Sequence, residues 1–328
     1  MKAPAFWGLV RPNLAARALA PVGALYGAIA ARRMARPGER VAVPVICVGN
    51  FVVGGGGKTP AAMAIARMLI DMGERVAFIS RGYGGAGRAG AVSVDPDMHS
   101  AADVGDEPLL LAKVAPCFVA RDRRVAAAAA ILAGASVLVL DDGLQNPALA
   151  KDLTFAMVDG GAGFGNGLCL PAGPLRAPMA AQLAQVAAIV CVGERSNVGA
   201  FGDKPVLTAR LIPDAATAGK LAGRNLLAFA GIARPEKFYA TLRDIGAHVA
   251  VARNFDDHHP FSAAEIADLQ ARAAAQGLIL VTTQKDAARL SPEQRRVVTA
   301  LPVTLTFDQA PRVAAMLSEA LARRRGRR

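Results

Sequence analysis

Four consecutive glycines, Gly54, Gly55, Gly56 and Gly57, run into Lys58, Thr59 and Pro60. An apolar run over 41–48 precedes them and a helix-like stretch follows. Glycines let backbone N–H groups turn inward around phosphate oxygens. A lysine directly after them reaches β- and γ-phosphates, and the adjoining hydroxyl suits Mg²⁺. The loop Val52, Val53, Gly54, Gly55, Gly56, Gly57, Lys58 and Thr59 is therefore expected to bind ATP, with Thr59 on the metal. The usual pattern has glycine where Val52 stands. A flexible loop that merely precedes a lysine is the bland alternative, and the strand–loop–helix context argues against it.

Two acidic pairs could complete such a site. The apolar run 137–140 ends in Asp141, Asp142 and Gly143. Phosphate-loop enzymes need a carboxylate near there to hold Mg²⁺, and adjacent acids in a turn point different ways, so they can divide the work. An ordinary Asp-Gly turn is the competing explanation. Gly105, Asp106, Glu107 and Pro108 put two acids where a helix begins. Capping and general-base chemistry stand level there.

Asp256, Asp257, His258, His259 and Pro260 hold the chain's only adjacent histidines. No third ligand is spaced for a metal. His258 could polarise Asp106, or orient an acceptor, if a second domain closes over the first. Thr282, Thr283, Gln284, Lys285 and Asp286 follow another apolar run. Their order does not support guanine recognition, and capping by Asp286 is the simple explanation.

These groups need a scaffold. Strand-like runs at 41–48, 75–80, 136–140, 154–158 and 188–192 alternate with helix-like stretches at 61–72, 107–114 and 124–133. That order implies an α/β fold, a mostly parallel sheet with helices on both faces. Ligands then collect at the carboxyl ends of the strands. The phosphate loop, the turn Arg81, Gly82, Tyr83, Gly84, and the Asp141–Asp142 pair all follow strands and should share one edge. After about Lys204 the texture changes. An extended linker at 205–212 leads to strands from 225, at 248–252 and at 278–283, with helices at 235–245 and 263–275. A strand at 302–307 returns, and a last helix at 312–324 could rejoin the first unit. The expected divisions are an N-terminal helix (1–40), a phosphate-loop domain (41–204), a linker (205–224), a smaller α/β domain (225–300) and a returning strand and helix (301–328).

The chain has 328 residues and a net charge of +12, from 38 basic and 26 acidic side chains. Such a balance suggests an anionic partner, although a GC-rich genome also inflates arginine. Cys47, Cys117, Cys169 and Cys191 form no CxxC pair and sit in or beside apolar stretches, as thiols in a reducing compartment do.

From Asn13 to Ala31 the only charge is Arg17. As a helix this segment is ~28 Å long, close to a bilayer core of ~30 Å. Pro21, Gly23, Gly27 and many alanines make it weakly apolar for a span. Ala28-Ile29-Ala30 resembles a cleavage site, but export would strand an ATP loop away from ATP. A helix lying in the membrane interface fits better. Leu19, Val22, Leu25, Tyr26 and Ile29 share one face, and Arg11, Arg17, Arg32, Arg33 and Arg36 bracket them. The final Arg323, Arg324, Arg325, Arg327 and Arg328 read as a solvated tail that an anionic leaflet would attract. No aromatic residues interleave them, so no nucleic acid partner is expected.

Taken together, the motifs resemble the tetraacyldisaccharide 4'-kinase family. The likeness is carried by Val48-Gly49-Asn50 with Gly54 to Pro60, by Ser80-Arg81-Gly82-Tyr83-Gly84, by Gly105-Asp106-Glu107-Pro108 and by Asp141-Asp142-Gly143-Leu144-Gln145. Pro171-Ala172-Gly173-Pro174-Leu175-Arg176, Asp257-His258 and Thr282-Thr283-Gln284-Lys285-Asp286 continue it in family order over nearly the whole chain.

The resemblance implies a phosphate-loop α/β domain with a smaller α/β domain on a two-strand linker. It also implies transfer of the ATP γ-phosphate, with Mg²⁺, to the 4'-hydroxyl of tetraacyldisaccharide 1-phosphate, giving lipid IVA. A monomer at the cytoplasmic face of the bacterial inner membrane is expected. By motif, Asp106 is the catalytic base and His258 its partner. Lys58 and Thr59 contact phosphate and metal, and Asp141 and Asp142 are metal-side acids. Arg81, Glu107, Gln145 and Arg176 are substrate or phosphate contacts. Two positions depart from the family pattern: Ala177 stands where an acid often follows the arginine, and Gly56 where a hydroxyl is common. A membrane-recruited nucleotide switch is the rival reading, but it leaves Gly105 to Pro108 and Asp257-His258 unexplained.

Overall fold

The computed structural model describes residues 3–82, 90–195 and 201–326. Its larger sheet is made of β1 (Val45–Asn50), β2 (Val76–Ser80), β3 (Val92–Ser93), β4 (Cys117–Val119), β5 (Val137–Asp141), β6 (Leu153–Asp159), β7 (Ala188–Val192), β8 (Val206–Pro213) and, from far along the chain, β13 (Val303–Phe307). The smaller sheet is made of β9 (Asn225–Ala230), β10 (His248–Asn254), β11 (Ile279–Thr283) and β12 (Thr299–Leu301).

The larger sheet runs β13-β8-β7-β6-β1-β5-β2-β4-β3. All neighbours from β8 to β4 are parallel, and only the two edge strands, β13 and β3, run antiparallel. β1, β2, β5, β6 and β7 are buried throughout, as central parallel strands covered on both faces must be. One face packs on the helices Lys58–Asp71, Asp106–Leu111 and Ala310–Arg325. The other packs on Arg123–Leu132 and, further along, on the end of the N-terminal helix. Because the strands are parallel, Asn50, Ser80, Asp141 and Asp159 all finish at one edge.

Several boundaries differ from the sequence reading. β1 starts at Val45, after Pro44, and not at Val41. The helix after the phosphate loop starts at Lys58 and not at Ala61. The segment read as an extended linker is β8, which pairs with β7 on one side and β13 on the other. The chain leaves the large sheet along β8 and returns along β13, so this antiparallel pair is the two-strand connection. The smaller sheet, order β10-β9-β11-β12, is wholly parallel. The C-terminal tail is corrected: Arg323, Arg324 and Arg325 are helical. Val313, Leu317, Ala320 and Leu321 of that helix are buried in the first core. Arg325 pairs with Glu74 at 2.5 Å and Arg324 donates to the Val41 carbonyl. Arg327 and Arg328 lie outside the described residues.

The N-terminal helix, Leu14–Met34, is capped by the Asn13 side chain and is long and apolar enough to cross a membrane. Its body-facing stripe is small: Ala16, Gly23 and Gly27, ending at Met34. A Cβ at Gly23 would lie 2.8 Å from the Cys169 carbonyl oxygen, and one at Gly27 would lie 2.9 Å from the Cys169 sulfur. The opposite side leaves Leu14, Val22, Leu25 and Ile29 more than half exposed. Leu19, expected on that face, is turned partly toward the body.

Overfilling a close-packed contact costs about 1–3 kcal/mol. Gly23→Leu is therefore expected to lower unfolding stability by that amount in urea titration, while Val22→Leu on the exposed side leaves it within about 0.5 kcal/mol.

Candidate active site

The site begins where β1 stops. Gly57, with φ +76°, takes the left-handed conformation that lets the loop turn into the helix at Lys58. Above it the loop is stapled in place. The Asn50 side-chain amide donates to the Gly54 carbonyl at 3.1 Å. The Val53 N–H donates to the Pro174 carbonyl, and the Arg176 N–H to the Phe51 carbonyl, each at 2.9 Å. Val52 and Leu175 form the bridge between these two segments. Val52, Val53 and the four glycines therefore hold a defined turn at the head of a helix, the arrangement that receives phosphate.

The acids at the end of β5 differ in company. Thr59 Oγ1 donates to Asp141 Oδ2 at 2.9 Å, while Asp141 Oδ1 is buried with no hydrogen-bond partner among the described residues. Burial, then the charges of Glu107 and Asp142, push the Asp141 carboxyl up to about 7, against the pull of Lys58 and Thr59. Asp142 instead meets cations. Arg176 Nη1 lies 2.9 Å from both its oxygens and Lys58 Nζ 3.7 Å from one. Burial would raise Asp142, but Lys58, Arg176 and Arg123 together hold it below the usual carboxylate range. Arg176 also donates through Nε to the Val52 carbonyl at 3.1 Å, tying the phosphate loop to the acid.

The second lobe contributes the other half. Asp106 opens the helix Asp106–Leu111, and its Oδ1 accepts from the Glu107 N–H at 2.8 Å. Its Oδ2 meets His258 Nδ1 at 3.0 Å and accepts from Arg289 Nε at 2.8 Å. A carboxylate can only accept, so His258 Nδ1 carries the proton. Lys285 Nζ bridges Glu107 Oε1 at 3.2 Å and His258 Nε2 at 3.4 Å. Burial alone would raise the Asp106 carboxyl. The His258 hydrogen bond and the charges of Lys285, Arg289 and His258 outweigh it and hold the group well below the ordinary range. Asp142 and His258 are the only non-glycine residues with positive φ among those described, at 54° and 60°. Such conformations cost about 1–3 kcal/mol each and gather at functional sites.

Of the other residues singled out in the sequence, Arg81 follows β2 at the same edge and is exposed. Tyr83 and Gly84 lie outside the described residues. The Gln145 amide nitrogen donates to the Asn50 carbonyl and to Gln182, each at 2.7 Å, so it braces the loop from below. Asp286 is buried, and its backbone N–H is capped by Thr283.

Sequence reading missed Arg123, a buried arginine whose Nη2 donates to the carbonyls of Asp141 and Asp142. Its Nε and Nη1 have no partner among the described residues. Arg289, and Asp159 with its cross-lobe partners Arg234 and Lys237, were missed too. Placement of Asp159 at the end of β6, beside the phosphate-loop strand, was the one available signal.

The family profile described as Tetraacyldisaccharide-1-P 4'-kinase matches residues 15–322. The chain is 53% identical to a tetraacyldisaccharide 4'-kinase of Methylobacterium sp. (strain 4-46), covering 98% of this chain and 97% of that one. It is 50% identical to the corresponding protein of Nitrobacter winogradskyi, covering 98% of each. Among solved structures it resembles LpxK from Aquifex aeolicus in complex with ATP. The TM-score is 0.75 at 26% identity, over 93% of this chain and 99% of that one.

The folded Asp106 carboxyl holds its proton less tightly than the unfolded one. Its contribution to stability is intact above the unfolded value of about 3.9 and is lost as pH falls toward the lower folded value. Between pH 5 and pH 2, urea titrations of the wild type are expected to lose stability more steeply than those of Asp106→Asn. Equal slopes would mean that Asp106 is not held below its ordinary range.

Proposed function

The chain belongs to the tetraacyldisaccharide-1-P 4'-kinase family, and from that premise we propose how its residues divide the reaction. The enzyme is an ATP-dependent kinase of lipid A biosynthesis that phosphorylates the 4'-hydroxyl of tetraacyldisaccharide 1-phosphate. The observation that carries the division of labour is the Asp106–His258 contact. It brings a buried carboxylate from the phosphate-loop lobe and an imidazole from the smaller lobe together. The helix that Asp106 opens packs against the helix that Lys58 opens, so the base adjoins the phosphate site.

Lys58 and the N–H groups of Gly54 to Thr59 receive the β- and γ-phosphates. The unpartnered, buried Asp141 Oδ1 beside the Thr59 hydroxyl fits Mg²⁺, which takes one or two carboxylates and fills its shell with phosphate and water oxygens. Thr59 and Asp141 would hold the ion, and when bound it supplies charge neutralisation at the phosphates. Asp142, already engaged by Lys58 and Arg176, orients those two cations toward the γ-phosphate. Asp106 accepts the proton of the 4'-hydroxyl, and His258 holds the carboxylate through Nδ1–H. The lobes meeting over the site exclude water, the competing acceptor. Arg81 and Arg123 supply positive charge at the same edge for the anionic lipid substrate.

The substrate is a lipid, and the exposed face of the N-terminal helix suits the surface that carries it. Leu25, Tyr26 and Ile29 enter the interface of an anionic membrane at its cytoplasmic face, flanked by Arg17, Arg32 and Arg33. The protein acts there as a monomer.

The direct test is transfer of labelled γ-phosphate to tetraacyldisaccharide 1-phosphate in detergent micelles. A Mg²⁺-dependent labelled lipid is expected, and free phosphate alone would contradict the reading. Asp106→Ala should cut turnover at least ~10²-fold with ATP binding intact in equilibrium dialysis. The triple change Leu25→Ser, Tyr26→Ser, Ile29→Ser should release the protein from anionic vesicles in flotation assays. Unchanged flotation would place the membrane contact elsewhere.

A further inference from the structure

Asp106 has two oxygens, and the structure treats them differently. Among the described residues Oδ1 accepts a single hydrogen bond, from the Glu107 N–H. Oδ2 meets His258 Nδ1 and accepts from Arg289 Nε, and Arg289 Nη2 stands 2.6 Å away as an ion pair. A carboxylate oxygen offers about two acceptor sites, so Oδ2 is filled and Oδ1 keeps one free. We propose that Arg289 is a positioning residue for the Asp106 base: with His258 it saturates Oδ2, fixes the carboxylate plane, and leaves Oδ1 as the oxygen that takes the acceptor's proton. This rests on the reading of Asp106 as the base.

The rest of the Arg289 environment shows why an arginine does this. Its side chain is 5% exposed. Nη1 donates to the Gly231 carbonyl at 2.9 Å and to Asp286 Oδ1 at 2.8 Å. The same Gly231 carbonyl accepts the His258 N–H at 3.1 Å. Arg289 and His258 are therefore both located from one point, just past the end of β9, and reach Asp106 together. Asp286 is itself fixed, accepting from the Gly231 N–H and from Thr283. The guanidinium becomes a bracket between a rigid corner of the smaller lobe and one oxygen of the larger lobe. Its fork geometry allows this, and a lysine could not span both ends.

The charged groups around Asp106 come from three places. Glu107 follows it on its own helix. Asp257 and His258 lie in the loop after β10. Lys285, Asp286 and Arg289 lie in and just after the short helix Gln284–Ala287. Lys285 pairs with Glu107 and Asp286 with Arg289, so removing Arg289 leaves Asp106 with His258 as its direct cross-lobe partner.

The test compares Arg289→Met, Arg289→Lys and the double variant Arg289→Met/Asp286→Asn in the labelled-lipid assay across pH, with thermal unfolding in parallel. Arg289→Met is expected to lower kcat about 10- to 100-fold, the scale of a misplaced catalytic group, with the KM for ATP within about threefold. The acid limb of its kcat profile should move up by about one pH unit or more, because an opposite charge beside the carboxylate is gone. Arg289→Lys should return the acid limb toward the wild type and kcat only in part. In the double variant the stranded Asp286 charge is relieved. Thermal stability should recover while kcat stays low. Wild-type kcat and an unmoved acid limb in Arg289→Met, or full recovery of kcat in the double variant, would overturn the proposal. Wild-type turnover of Asp106→Ala in the same series would instead overturn the base reading beneath it.

Discussion

One buried carboxylate has to be shared between the lobes built on the two sheets. Asp106 belongs to the larger lobe, is 4% exposed, and meets two side chains of the smaller lobe, His258 and Arg289. A charge taken out of water without partners is costly, by several kcal/mol even after relaxation. The lobes therefore cannot part without either flooding Asp106 with water or protonating it. The adjoining pairs, Glu107 with Lys285 and Asp159 with Arg234 and Lys237, cross the same seam and add to this dependence. The β8–β13 ribbon lets the smaller lobe approach, and Asp106 gives it a place to dock.

The phosphate half of the site is built on the opposite principle. It is assembled on one sheet, from strand ends that parallel pairing brings to one edge, and its braces, the backbone hydrogen bonds of the loop and the Asp142–Arg176 pair, come from that same lobe. Val48 pairs with Asp141 across β1 and β5, which puts the helix carrying Thr59 beside the acid it contacts. The positive φ at Asp142 turns that side chain away from Asp141 and onto Lys58 and Arg176. Adjacent acids thus take different partners, and their carboxyls are pushed in opposite directions, Asp141 up and Asp142 down. The site is a loop-and-helix cradle met by a carboxylate clamped from across the seam, and in the proposed reaction phosphoryl transfer needs both at once.

Much of this was legible from local patterns. Apolar runs with glycine-rich turns marked the parallel strands, and the four glycines before Lys58 marked the cradle. Boundaries were less clear for physical reasons. Gly57 starts the helix by its own conformation, so Lys58 is helical although the helix-like stretch was read only from 61. The C-terminal arginines, read as a solvated tail from their like charge, continue the last helix, whose Val313, Leu317, Ala320 and Leu321 are buried in the first core. Arg289 and Arg123 were invisible for a different reason. The Asp106 that Arg289 reaches lies 183 positions away and the carbonyls that Arg123 reaches 18 and 19 positions away, and no periodicity records such pairings. His258 could be suspected only because its neighbours formed a motif; its contact with Asp106 depends on how the ribbon folds the lobes together.

If Asp106 and His258 work as one unit across the seam, their substitutions cannot act independently. The decisive measurement is a double-variant cycle on kcat with Asp106→Asn, His258→Ala and the two combined. This arrangement predicts that the combined variant is no slower than Asp106→Asn alone, because the histidine acts only through the carboxylate. Losses that multiply across the two positions would contradict it and would give His258 a separate role in the reaction.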